Sequence, residues 1–106
     1  MLVLALLRER DSYGYELVTR LQDAGLVDVT AGSVYPVLTR LERDGHLTAY
    51  LVRSSSGPAR KYYTPTESGL ELLTRQRRGW HQLGDVVAVV LTSGPHRART
   101  VPEVAP

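Results

Sequence analysis

The 106-residue chain contains no cysteine. That excludes a disulfide framework and any thiolate metal site, and it fits a reducing compartment. No stretch approaches the roughly 18–20 consecutive apolar residues of a membrane-spanning helix. Met1–Leu7 is apolar but lacks the basic flank and small-residue cleavage site of a signal peptide, which points to the cytoplasm. There is no phosphate-binding glycine loop, no nucleophile elbow and no paired-carboxylate spacing, so the chain does not read as an enzyme. His46, His81 and His96 are scattered without ligand spacing, and neither a metal nor a cofactor is expected. No internal repeat is visible.

Net charge is only +2, but it is unevenly spread. Residues 1–30 carry three arginines against five acids, whereas residues 31–61 carry five basic groups against two acids. All six tyrosines precede residue 64, and the single tryptophan, Trp80, follows it. Two kinds of segment therefore meet near Thr64–Thr66.

The positive excess centres on TAGSVYPVLTRLERDG, Thr30 to Gly45. Val34, Val37, Leu38 and Leu41 follow helical spacing and predict one core-facing stripe. Ser33, Tyr35, Thr39, Arg40 and Arg43 fall on the other face. Thr30 fits an N-cap and Gly45 a left-handed C-terminal stop, giving a helix of about a dozen residues. Its outer face offers hydroxyls and guanidiniums that suit phosphates and base edges in a DNA major groove. An ordinary solvated face, with Arg40 and Arg43 paired to Glu42 or Asp44, is the competing reading. Pro36 lacks an N–H and should kink or loosen the first turns.

Around this helix the pattern is consistent. Met1–Arg10 reads as a short helix. Ser12 is placed to open a second helix running to about Ala24, with Leu17, Val18, Leu21 and Ala24 buried. Tyr13 and Tyr15 fall at its first turn, where free N–H groups favour an anion. After Gly45 the period becomes two: Leu47, Ala49 and Leu51 predict the inward side of a strand. Ser54–Pro58 reads as a loop and Arg60–Thr64 as a second strand, with Arg53, Arg60 and Lys61 near the hairpin tip. Beside a helix-turn-helix such a hairpin has the form of a wing. Thr66 can cap a last helix, although Gly69 occupies the capping-box position. From Leu73 through Trp80, Leu83, Val87 and Val90 the apolar residues recur at three- and four-residue steps, with Gln76 filling the one polar place, a seam suited to a partner helix. The tail, with Pro95, Pro102 and Pro106, is expected to be disordered. The fold class is therefore mainly α with a small β-hairpin. The expected division is a winged helix-turn-helix over 1–65, a dimerisation helix over 66–92 and a tail over 93–106.

Four stretches carry a more specific resemblance: SYGYEL at Ser12–Leu17, GSVYPVLTRLERDG at Gly32–Gly45, GPARKYY at Gly57–Tyr63 and T-x-T-E-x-G at Thr64–Gly69. In this order they resemble the PadR family of bacterial transcriptional regulators, in its short form with one C-terminal dimer helix. The resemblance implies a homodimer that binds a pseudo-palindromic operator on double-stranded DNA and represses transcription. It assigns the major groove to the helix over Thr30–Asp44, and DNA contacts to Tyr13, Ser33, Tyr35, Pro36, Arg40, Arg43, Arg60 and Lys61. Some relatives release DNA on binding small aromatic effectors near the dimer helices. Trp80 is the candidate for such a site, or else a dimer-core tryptophan. A winged-helix protein–protein module without DNA binding is the alternative function.

Overall fold

The computed structural model describes residues 1–94, so most of the expected tail, and His96 with it, lies outside the described residues. Four helices and three strands follow in the order α1 (Leu2–Glu9), β1 (Ser12–Tyr13), α2 (Gly14–Asp23), α3 (Ala31–Arg43), β2 (Leu47–Ser54), β3 (Gly57–Pro65) and α4 (Glu67–Thr92). The strands form one antiparallel sheet in the order β1-β3-β2.

One core holds these elements together. Leu4 and Leu7 of α1, Leu17 and Leu21 of α2, Val34 and Leu38 of α3, Leu47, Tyr63 and Leu73 are all buried. The helical stripes of α1, α2 and α3 supply most of it, as their spacing requires. Ala24 does not join them; it is exposed at the C-terminal end of α2. Gly25 (φ 122°) and Gly45 (φ 81°) end α2 and α3 in the left-handed region that glycine adopts without a Cβ penalty.

Ser12 departs from its expected role. It does not cap α2, whose N-cap is Tyr13; it lies fully buried in β1, with Ser12 opposite Tyr63 and Tyr13 opposite Tyr62. A polar network explains the burial. Arg20 Nη1 donates to Ser12 Oγ at 2.7 Å, and Ser12 Oγ donates to Glu16 Oε1 at 2.6 Å. Arg20 Nη2 donates to the Leu6 carbonyl at 2.8 Å and meets Glu9 at 3.1 Å. The Arg20 side chain is only 10% exposed, and both of its terminal nitrogens are used, which offsets the cost of burying the charge. The network fastens α1, β1 and α2 to one another.

The hairpin is tighter than its composition suggests. Pairing continues to Ser54 opposite Gly57, so Ser55–Ser56 alone makes the turn where a loop over Ser54–Pro58 is expected. Leu51 is a second departure: it has the predicted inward parity but is 71% exposed, because β2 has by then run beyond the core. The outer face carries an aromatic row. Tyr62 packs edge-on to Tyr13 (centroids 5.3 Å apart) and stacks on Tyr50 (5.9 Å), whose hydroxyl donates to Asp11.

α4 is latched to the turn after α3. Thr66 Oγ1 accepts from Gly69 N–H at 3.1 Å as the expected cap and donates to the Gly45 carbonyl at 2.7 Å. Thr66 N–H donates to the His46 carbonyl at 3.1 Å, and His46 Nδ1 lies 2.8 Å from Ser68 Oγ. Gly69 is thus more than a missing box residue: a Cβ there would overlap the His46 carbonyl oxygen. Beyond Leu73 the helix leaves the body, and Trp80, Leu83, Val87 and Val90 are all exposed.

Candidate nucleic-acid interface

α3 presents Ser33, Tyr35, Pro36, Arg40 and Arg43 to solvent while Val34 and Leu38 face the core, the division its sequence predicts. Its first turn is fixed by Ser33. The Ser33 hydroxyl accepts from Thr30 N–H at 3.2 Å and donates to the Thr30 carbonyl at 2.8 Å. Ser33 therefore has a local job at the helix start besides any external contact. The helix continues through Pro36. The carbonyl of Gly32, four residues back, loses its usual donor there, and both residues are solvent-facing, so water can satisfy it.

Tyr35 reaches back to α2. Its ring lies over Gly14, where a Cβ would collide with the phenol, and packs edge-on against Tyr15 with centroids 5.8 Å apart. Burial, then the neighbouring Tyr15 and Tyr63 phenols, raise the Tyr35 pKa above its ordinary value. Gly14 begins α2 directly after the Tyr13 cap, so the unpaired N–H groups of that first turn open beside these rings. Sequence reasoning placed Tyr15 at this turn without assigning it a contact; the Gly between two tyrosines is the signal that one ring must pass close to backbone.

The wing completes the surface. Tyr13, Tyr15, Tyr35 and Tyr63 line a cavity of about 420 Å³ together with Arg60 and Lys61. Arg60 Nη1 donates to Tyr13 Oη at 3.3 Å, and its guanidinium stands 4.6 Å from the centre of that ring. Lys61 turns to the other side of the strand, toward α3: its Nζ meets Glu42 Oε1 at 3.0 Å and lies 5.3 Å from the Tyr63 ring centre. The Glu42 hydrogen bond is the main cause of the upward shift in the Lys61 pKa.

The structure thus gathers Tyr13, Tyr35, Arg60 and Lys61 around one hollow between α2, α3 and the wing. Arg40 is exposed and makes no ion pair among the described residues. Arg43 lies at the far end of α3 and pairs with Asp44 at 3.1 Å, one of the two partners the competing surface-pair reading gave it. Trp80 stands apart from this hollow on α4, 59% exposed.

Comparison with known proteins bears directly on this arrangement. Residues 3–75 match the family described as "Transcriptional regulator PadR-like family". The chain belongs to that family. Solved PadR-like structures share the fold along most of its length. A PadR-like transcriptional regulator from Bacillus cereus is 36% identical, with a TM-score of 0.78 over 87% of this chain and 89% of its own. A PadR family regulator from Eggerthella lenta is also 36% identical, with a TM-score of 0.76 over 88% of this chain and 83% of its own. A further relative, an uncharacterised protein of Lysinibacillus sphaericus, is 28% identical and covers 81% of both chains.

PadR-like proteins are DNA-binding transcriptional regulators and not enzymes, in line with the missing catalytic motifs. The winged helix with a long C-terminal helix is their architecture, and the expected fold class holds, extended by the short strand β1. The family match ends at residue 75, close to where burial along α4 ends at Leu73.

Proposed function

We propose that this PadR-like chain is a homodimeric repressor that reads a pseudo-palindromic operator, with α3 in the major groove and the β2–β3 wing on the backbone. The observation that carries this reading is the single surface formed by the outer face of α3, the first turn of α2 and the wing. On it, phenols, guanidiniums and an ammonium converge beside helix N–H groups. In this arrangement residues 1–65 form the DNA-binding unit, and Tyr35, Pro36 and Arg40 face the groove. Tyr13, Arg60 and Lys61 face phosphates. Ser33 and Arg43 flank the contact at the two ends of α3.

Residues 66–92 pair two subunits through the apolar seam of α4, which is solvent-exposed in the single chain. A second DNA-binding unit then follows from the two-fold axis, and operator symmetry with it. Trp80 falls on that seam. Its indole either packs in the dimer core or stacks on a small aromatic effector that releases DNA; quenching of its fluorescence together with weakened DNA binding identifies the second role.

The test is fluorescence anisotropy of the purified protein on its own upstream DNA and on a scrambled fragment, across a salt series. Preferential binding whose affinity falls steeply with salt is expected, because each phosphate neutralised releases counterions. Arg40→Ala should cost about 1–3 kcal/mol and relax discrimination if Arg40 reads a base edge. Equal, weak binding to both fragments would reject sequence-specific reading. Absence of DNA binding at low salt, with a tight protein partner, would favour a protein–protein module.

A further inference from the structure

We propose that Glu42 is a specificity-determining, positioning residue of the DNA surface: its carboxylate competes with DNA phosphates for the wing cation Lys61. The inference rests on the DNA-binding reading above and adds to it a residue that opposes binding.

Three observations converge on it. First, Glu42 sits in the last turn of α3, whose carbonyl end disfavours a carboxylate and favours the cations Arg40 and Arg43 that share the turn. Glu42 therefore has no reason within the helix to be acidic. Its reason lies 19 residues away, where Lys61 Nζ donates to Glu42 Oε1 at 3.0 Å. Second, this ion pair ties α3 to the wing directly, and it is open to solvent, with the Lys61 and Glu42 side chains 49% and 36% exposed. Third, Lys61 is held on the α3 side of the strand while Arg60, one residue earlier, turns to the Tyr13 ring on the other. Strand β3 thus keeps one cation on each side, and one of the two is already neutralised.

The strength of the pair suits a competitor. An exposed ion pair shifts an equilibrium by up to about fivefold, so a phosphate brought into place by other contacts can displace the carboxylate. A phosphate met without those contacts has no such advantage. Glu42 then subtracts one phosphate contact per subunit from unregistered DNA and less from a registered site. The ratio between operator and random DNA rises, although the protein gives up some affinity for both.

The test is a double-mutant cycle of Glu42→Gln and Lys61→Gln, read by anisotropy on upstream and scrambled fragments over a salt series, with the full chain and circular dichroism as a fold check. Glu42→Gln should tighten binding to scrambled DNA by up to about fivefold per engaged subunit. It should steepen the logarithmic salt slope by about 0.9 for each phosphate gained, and the upstream-to-scrambled ratio should fall. Lys61→Gln should abolish these effects, so that the double variant binds as Lys61→Gln alone. If Glu42→Gln leaves affinity and slope unchanged while the wild type binds DNA, the inference is overturned and the DNA-binding reading stands. It is overturned in the same way if Glu42→Gln tightens binding equally in the Lys61→Gln background, because Glu42 would then repel phosphate directly. Absence of salt-dependent binding by the wild type overturns the DNA-binding reading, and the inference with it.

Discussion

The first two turns of α4 and its later turns follow one apolar spacing and end in opposite environments. Gly69 and Leu73 are buried against α1 and the turn after α3, whereas Leu83, Val86, Val87, Val89, Val90 and Leu91 remain exposed. A helical period shows that a face is built for burial; it does not say what covers it. In the first turns the cover is this chain's own body. Farther along, six aliphatic side chains on one helix exceed what an isolated soluble chain normally shows to water. The contrast gives a single helix two environments: its start fixes the body that carries α3, and its remainder is the exposed apolar surface that the dimeric reading proposed above assigns to a second copy.

The same Leu→Ala change at the two places tests this contrast with the largest expected effect. Leu73, in the start of α4, is fully buried in the core, so Leu73→Ala should lower unfolding free energy by about 2–5 kcal/mol, through lost transfer energy and the cavity left behind. Urea denaturation reads it, and the loss should be the same at every protein concentration. Leu83→Ala removes the same atoms from an exposed position and should cost the isolated subunit less than about 0.5 kcal/mol. In a dimer its cost should instead grow as protein is concentrated, because association stabilises by mass action. Equal, concentration-independent losses for both variants would remove the distinction between body and seam.

How far the sequence carried this division depends on the range of the interactions involved. α3 and its stops, Thr66 as the cap of α4, and the core stripes of α2 and α3 are set by neighbours within a few residues, and their patterns were legible. β1 was not. Two residues carry no period, and Ser12 has the look of a cap; its burial depends on Arg20, eight residues away, and on Tyr63 across the sheet. Leu51 failed for a related reason, since strand alternation gives the side of a sheet but not how far the core beneath it extends. The candidate surface was legible in kind, as hydroxyls and cations on α3 and the wing, with the charged residues named. Its pairings were not: Glu42–Lys61 and Arg60–Tyr13 join residues 19 and 47 apart. In the sequence Gly69 only marks an absent capping-box partner, whereas in the fold the approach of the His46 carbonyl forbids a side chain there.

Two glycines sharpen the comparison at intermediate size. Gly69→Ala sets a Cβ against the His46 backbone oxygen at the latch between body and α4, and backbone cannot swing aside. A loss of about 1–3 kcal/mol is expected in urea denaturation, as for other overpacked sites. Gly14→Ala meets the Tyr35 phenol first, and that ring end is at the surface and can rotate away. Its stability cost should be smaller, while operator affinity falls because Tyr35 and the α2 first turn no longer fit together. A larger stability loss at Gly14 than at Gly69 would mean that the latch is looser than its hydrogen bonds indicate.

The smallest effect expected concerns pH and separates the two regions by chemistry. Tyr50 donates to Asp11 on the outer face of the sheet, and that hydrogen bond is the main cause of its raised pKa. A group whose folded pKa is raised stabilises the fold fully below its unfolded value, about 10 for a phenol. That contribution is lost as pH rises through the folded value. The stability difference between the wild type and Tyr50→Phe should therefore be constant through neutral pH and close only above about 10. α4 contains no tyrosine, so dissociation of the proposed dimer, followed by dilution, should show no phenol-dependent change in that window. A Tyr50→Phe variant that altered dimer dissociation there as much as it altered unfolding would show that body and seam are energetically one unit.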